Sequence, residues 1–315
     1  MKASPPEKSG PQFEWLLSAA KGQAAVRTAV VHPCDPVSLG GALEAARLGL
    51  IVPVLVGPAR KIAAATQTLD GALEAVEIVD VEHSHAAAAE ACRLARSGAV
   101  AALMKGSLHT DELLEAVIDR DVGLRTDRRI SHVFILDVPT YPRPLFLSDA
   151  AINIAPDLAI KKDIVQNAID CAMALGVALP RAAILAAVET VHPRMPATID
   201  AAALSKMADR GQIAGGILDG PLAFDNAISA EAAKAKGIVS PVAGQPDILI
   251  VPNIEAGNML AKQLTYLANA QSAGIVMGAR VPIMLTSRAD GRLSRLASCA
   301  AAILVAQHQR LKPRR

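Results

Sequence analysis

Aromatic side chains are almost absent from this chain. Its 315 residues include one Trp, two Tyr and four Phe, 2% in all, although 52% of the residues are hydrophobic. The core must therefore be assembled from Ala, Val, Leu and Ile. Such small side chains let helices lie close on a sheet, which favours α/β layering over an all-β sandwich. The same scarcity removes the base-stacking platforms of a single-strand nucleic-acid binder. An excess of one charge sign is also lacking. The net charge is +2 with 20% charged residues, so nothing marks an electrostatic footprint for nucleic acid. Cysteine is sparse. Cys34, Cys92, Cys171 and Cys299 lie far apart, with no Cys-x-x-Cys and no histidine at metal-ligand spacing. That pattern reads as reduced thiols in a cytoplasmic protein and argues against a metal. Long apolar runs are missing too. The charge-free stretch near the end, Leu296 to Ala306, falls well short of the roughly 18 residues that a membrane-spanning helix needs. Residues 1–12 have no apolar segment of signal-peptide type and are expected as a loose tail.

What is present is a rhythm. Short runs rich in β-branched residues alternate with Ala-rich helical stretches. Strands are expected at Thr28–His32, Val52–Gly57, Val76–Asp80 and Ala99–Met104, with helices over Ser38–Leu48 and Ala86–Arg96. This βαβ order implies parallel strands covered by helices on both faces. After Asp121 the rhythm breaks. Ser131–Asp137 and Leu145–Leu147 flank Pro139, Pro142 and Pro144, which suggests a local hairpin. The alternation resumes at Lys161 and ends with strands at Ala273–Met277 and Pro282–Thr286. The length is natural for two lobes. The divisions are expected near residues 130 and 280, giving one lobe from 1–130 with 280–315 and another from 131–279.

Polar residues gather where strands end. The buried-strand pattern Val281-Pro-Ile-Met-Leu285 stops at Thr286-Ser287-Arg288-Ala289-Asp290, and a helical pattern opens at Arg292. In open α/β sheets ligands bind at the carboxyl ends of strands. A new helix adds free backbone N–H groups and its positive dipole end. Arg288 brings a planar fork suited to phosphate, and Ser287 a further donor. The same residues also suit a plain helix cap. Lys105-Gly106-Ser107 follows the fourth strand. Ser148-Asp149 opens a loop reaching Asn153. Asp219 to Asp225 and Asn253 to Asn258 follow two later strands.

Taken in order, these stretches resemble the phosphate acetyltransferase and phosphate butyryltransferase family. The resemblance rests on Met104-Lys-Gly-Ser-Leu-His-Thr110, Ser148-Asp-Ala-Ala-Ile-Asn153, Gly220-Pro-Leu-Ala-Phe-Asp-Asn-Ala227, Asp247-Ile-Leu-Ile-Val-Pro-Asn-Ile-Glu-Ala-Gly-Asn258, Gly278-Ala-Arg-Val-Pro282 and Thr286-Ser-Arg-Ala-Asp290. It is nearest in style to the butyryl branch and to the transferase half fused behind an enoyl-CoA hydratase. The resemblance implies reversible transfer between acyl phosphate and coenzyme A, with coenzyme A as substrate and no metal. It also implies a two-lobed α/β/α fold with a mixed, mostly parallel sheet, like the isocitrate and isopropylmalate dehydrogenases. In that fold the middle lobe carries the contact of a homodimer or higher even assembly. Carried over residue by residue, it marks Ser287 and Arg288 as catalytic, and Asp290, close to the pair in sequence, is taken with them as a candidate catalytic residue. Lys105, Asp149, Asn153, Asp225, Asn253 and Asn258, which lie in the matching stretches, are expected to bind substrate, as is Arg129 of the basic cluster before Ser131.

One position departs from the family pattern. Acetyl-type members carry an aspartate six residues after the arginine of the Ser-Arg pair, and this chain has Ser294 there. The base that deprotonates the thiol is thus left open among Asp290, Asp149 and the substrate's own phosphate. Two rivals follow. A non-catalytic acyl-CoA or acyl-phosphate binder would explain the missing aspartate. A metal-dependent dehydrogenase of the same fold would need paired carboxylates and a nucleotide-binding glycine fingerprint, and neither pattern is present.

Overall fold

The computed structural model of the chain describes residues 11–67, 69, 76–285 and 291–311. Contacts divide it into two units: Met1–Arg128 with Ala273–Arg315, and Arg129–Ser272.

The first unit begins with α1 (Pro11–Lys21), β1 (Val26–Val31), α2 (Pro36–Arg47), β2 (Ile51–Gly57), α3 (Ala59–Thr66), β3 (Glu77–Asp80), α4 (Ser84–Arg96), β4 (Ala102–Lys105) and α5 (Thr110–Ile118). The second unit supplies β5 (Ser131–Asp137), β6 (Leu145–Ser148), α6 (Leu158–Ala174), β7 (Arg181–Leu185), α7 (Pro196–Asp209), β8 (Ile217–Leu222), α8 (Phe224–Ile228), α9 (Ala230–Ala235), β9 (Ile248–Ile250) and α10 (Ile254–Leu267). The chain then returns to the first unit through β10 (Gln271–Met277), β11 (Ile283–Met284) and α11 (Arg292–Leu311).

In the first unit the strand order is β3-β2-β1-β4-β11-β10. The pairs are parallel except β10 with β11. The strands are nearly all apolar, as expected where helices cover both faces; Val26, Ala29, Val30 and Val31 of β1 are fully buried. Helix α2 packs with α3 and α11, whereas α4 packs with α5. Right-handed crossovers explain the segregation. The chain moves from β1 outward to β2 and β3 on one layer of helices, then returns across β1 to β4 on the other. The strand order therefore reverses between β1 and β4. Helix α1 overlaps the end of the expected tail, because Phe13 and Leu16 are buried and tie it to α11.

In the second unit the order is β5-β6-β9-β7-β8. Strands β5 and β6 form the expected antiparallel pair, with Phe134 opposite Leu147, and the remaining pairs are parallel. Leu136, Leu147, Ala183, Leu222 and Leu249 centre its core.

Candidate active site

Each unit gathers polar side chains at the carboxyl edge of its parallel strands. In the first unit these come from the two strands that flank the reversal of strand order. Such a switch point leaves a crevice because the flanking loops run to opposite layers. The loop after β1 is His32-Pro33-Cys34-Asp35, and the loop after β4, residues 106–109, opens with Gly106-Ser107. Gly106 is required by close approach: a Cβ there would lie 2.3 Å from the Val31 carbonyl oxygen and 2.6 Å from that of His32. The Gly106 N–H donates to Val31 O at 2.9 Å, and the Ser107 N–H to His32 O at 2.9 Å. Ser107 Oγ donates to His32 O at 2.7 Å, accepts from the Cys34 N–H at 3.2 Å, and lies 3.2 Å from His32 Nδ1. Asp35 caps α2, its Oδ1 accepting from Val37 N at 2.8 Å and Ser38 N at 3.0 Å.

Charge at this edge is mixed. Lys105 is buried, with Nζ 3.4 Å from the Gly106 carbonyl oxygen. Burial, aided by Lys61, lowers the His32 pKa below its ordinary value, against raising contributions from Glu112 and Asp35. Burial pushes the Cys34 thiol up.

Ser287, Arg288 and Asp290 lie outside the described residues. Their described neighbours in sequence belong to this unit. Strand β11 pairs in parallel with β4, Met284 opposite Met104. On the far side of the gap, Arg292 forms an ion pair with Glu44 of α2. A Cβ on Gly41 of α2 would meet Arg295 Cδ at 3.3 Å. Ser294, the position that departs from the family pattern, is buried, and its carbonyl accepts from Ser298 Oγ at 2.8 Å.

In the second unit the structure joins several expected residues. The peptide Ser148–Asp149 is cis. Asp149 is buried, and its carboxylate accepts from Ala151 N at 3.0 Å, Ile152 N at 3.1 Å, Asn153 N at 3.1 Å and Asn153 Nδ2 at 2.6 Å. Asn153 Nδ2 also donates to Ile130 O at 2.9 Å. Asn258 reaches the same loop from α10, donating to Ala150 O at 3.3 Å. Asn253 is the N-cap of α10, with Oδ1 accepting from Ala256 N at 3.0 Å. Helix α10 can come this close because Gly257 faces the loop: a Cβ there would lie 2.9 Å from Asp149 O.

Two expected residues stand apart from this group. The Arg129 side chain is exposed; its backbone N–H donates to Asp163 Oδ2 at 3.0 Å. Asp225 belongs to an exposed cluster with Lys236 at 3.0 Å, and Lys236 also meets Glu189 at 3.1 Å. The hydrogen bond from Lys236 holds the Asp225 carboxyl below its usual pKa.

Two histidines escaped the sequence reading. His132 is the second residue of β5 and lies within the field of the Asp149 carboxylate. It is buried, its Nδ1 has no hydrogen-bond partner among the described residues, and burial pushes its pKa down to about 4 against the field of Asp149. His32 sits at a strand end, the same signal that selected Lys105. Among the described residues no cluster of three or more His, Cys, Asp or Glu side chains could hold a metal. None of the described helices is long and apolar enough to cross a membrane.

Comparison with known proteins gives a consistent result. The family model described as "Phosphate acetyl/butaryl transferase" matches residues 84–303. A phosphate acetyltransferase of Rhizobium meliloti is 61% identical over 301 residues, covering 95% of each chain. A phosphate butyryltransferase of Clostridium beijerinckii is 42% identical over 93% of this chain and 97% of its own. Among solved structures, a branched-chain phosphotransacylase from Enterococcus faecalis superposes with a TM-score of 0.77 at 30% identity, covering 90% of this chain and 99% of that one.

Proposed function

Since this chain belongs to the phosphate acetyl/butyryl transferase family, we propose that it transfers an acetyl or short-chain acyl group between coenzyme A and inorganic phosphate. Acyl-CoA and phosphate give free coenzyme A and acyl phosphate, reversibly. The observation that carries this reading is near-full-length identity to acetyl- and butyryltransferases, with the quoted motifs present in order.

The chemistry sets three demands. The thiol must lose its proton, because the thiolate is the nucleophile. The carbonyl oxygen gains charge and needs donors, a role we give to Ser287 and nearby backbone N–H groups. The leaving phosphate is an anion and needs a cation, the role of Arg288. Asp290 stays a candidate base. Lys105, Arg129, Asp149, Asn153, Asp225, Asn253 and Asn258 are proposed to hold substrate or the loops that touch it. Direct transfer in a ternary complex depends mainly on positioning the two substrates. The enzyme is proposed to work without a metal, in the cytoplasm, as a homodimer or higher even assembly built on the middle lobe, symmetric pairing being the common state.

The test is a panel of acetyl-, propionyl- and butyryl-CoA assayed for phosphate-dependent release of free thiol, with and without EDTA. Release with at least one acyl-CoA, unaffected by EDTA, is expected. Neighbouring chain lengths differ by methylenes worth roughly 1–3 kcal/mol each in a pocket, so a graded preference is expected. Absence of thiol release with every member would overturn the reading.

A further inference from the structure

One histidine at the carboxyl edge of the first unit has no part in the reaction as set out above. His32 follows directly on β1 and has φ 54°, a left-handed conformation uncommon outside glycine. Its backbone is held from both sides. The His32 N–H donates to Val56 O at 2.7 Å, and its carbonyl accepts from Cys34 N at 2.9 Å, Ser107 N at 2.9 Å and Ser107 Oγ at 2.7 Å. Residues held so firmly in a sparsely populated conformation gather at functional sites.

The same contacts fix the tautomer of the ring. The Ser107 hydroxyl proton points to the His32 carbonyl. Ser107 Oγ then meets the Cys34 N–H and His32 Nδ1 as an acceptor, both at 3.2 Å. The ring proton is therefore on Nδ1, and Nε2 carries a lone pair. Among the described residues Nε2 has no hydrogen-bond partner, and the ring is only partly buried. It sits beside the β1–β4 switch point, where the strand order predicts a ligand.

We infer that His32 is the base that takes the thiol proton of coenzyme A, an assignment that rests on the acyl-transfer reading. Nε2 accepts the proton from the S–H group. The thiolate sulfur forms a bond to the acyl carbonyl carbon, and the bond from that carbon to the phosphate oxygen breaks. The imidazolium returns the proton to the departing phosphate, which leaves as hydrogen phosphate. Atoms and charge balance with no further reactant. The charged groups acting on the ring are Lys61 of α3, Glu112 of α5 and Asp35 before α2. With burial and Lys61 lowering its pKa, the ring is neutral at pH 7, the form a base requires. The assignment also supplies a base where Ser294 replaces the family's aspartate.

The test is steady-state thioester formation from acetyl phosphate and coenzyme A across pH. In the parent enzyme kcat/KM should fall on the acid side as one group with a pKa below 6.5 is protonated. His32→Asn retains an amide donor toward Ser107 and suits the left-handed backbone. It should lower kcat by roughly 100-fold or more and abolish that limb, while KM for coenzyme A changes less than about threefold. His32→Gly, also suited to positive φ, should regain turnover in proportion to added imidazole free base, a response that a merely structural role would not give. Parental turnover with an intact acid limb in His32→Asn, or a folded His32→Gly that ignores imidazole, would overturn the assignment. A parent enzyme that forms no thioester would instead overturn the acyl-transfer reading and this assignment with it.

Discussion

The Asp149 carboxylate accepts four hydrogen bonds from its own loop, so its acceptor sites are already engaged in holding residues 149–153. The Asp149–Asn153 spacing was visible in the sequence. The proximity of His132 was not, because it comes from another strand, β5, and only the folded chain brings it within the field of Asp149. Burial of His132 has a consequence for stability. Its folded pKa is pushed from 6.5 down to about 4, so between those values the unfolded chain binds more protons and folding weakens as pH falls. The native state should therefore lose stability progressively between pH 7 and pH 4 as this buried ring is driven to take up a proton. Urea midpoints measured across that range should decline steeply in the parent and more gently in His132→Gln; identical slopes would remove His132 as the cause. For the reaction itself, Arg288→Ala should cut phosphate-dependent turnover by a factor of roughly 100 or more, since a charge-assisted contact to the leaving group is lost. Equal turnover at matched circular dichroism would take Arg288 out of the site.

Helix α10 shows how an element carries a site residue. Asn253 has the residue type and position of an N-cap, and it caps. Asn253→Ala should therefore cost about 1 kcal/mol while Asn253→Asp costs little, because aspartate caps about as well. If Asn253 also binds substrate, the two variants will separate in KM as well as in stability; thermal melts and kinetics on both variants read the two effects apart. Gly106 is the corresponding constraint on β4. Its Cβ position lies against the β1 backbone, which side-chain rearrangement cannot relieve, so Gly106→Ala should destabilise the protein by about 3 kcal/mol. An unchanged urea midpoint would contradict this close approach. Elements with strong periodicity were legible. Strand β5 was expected at the residues where it occurs, Ser131–Asp137. The short helices α3, α8 and α9 were not read, since eight, five and six residues give too few turns for a helical period to stand out.

At the scale of the whole molecule, a homodimer or higher even oligomer is expected. Light scattering at micromolar concentration should return at least twice the 32.7 kDa chain mass; a monomer mass would contradict the assembly. The sequence by itself determined the class of fold and the family. Both are written in local signals: the β-branched and Ala-rich alternation sets strands and helices, and motifs of five to twelve contiguous residues keep their meaning without a partner. It also nominated residues by their place at strand ends, as with Lys105, Asp149 and Asn253. Tertiary structure decided which of these meet. Asp149, Asn153 and Asn258 converge because β6 and α10 bring stretches about a hundred residues apart to one loop, whereas Asp225 falls into an exposed ion-pair cluster with Lys236. It also decided the chemistry of His32. A lone histidine after a strand says nothing of its tautomer. Only the parallel pairing of β1 with β4, closed at Gly106, sets Ser107 against the imidazole and so directs the ring proton to Nδ1.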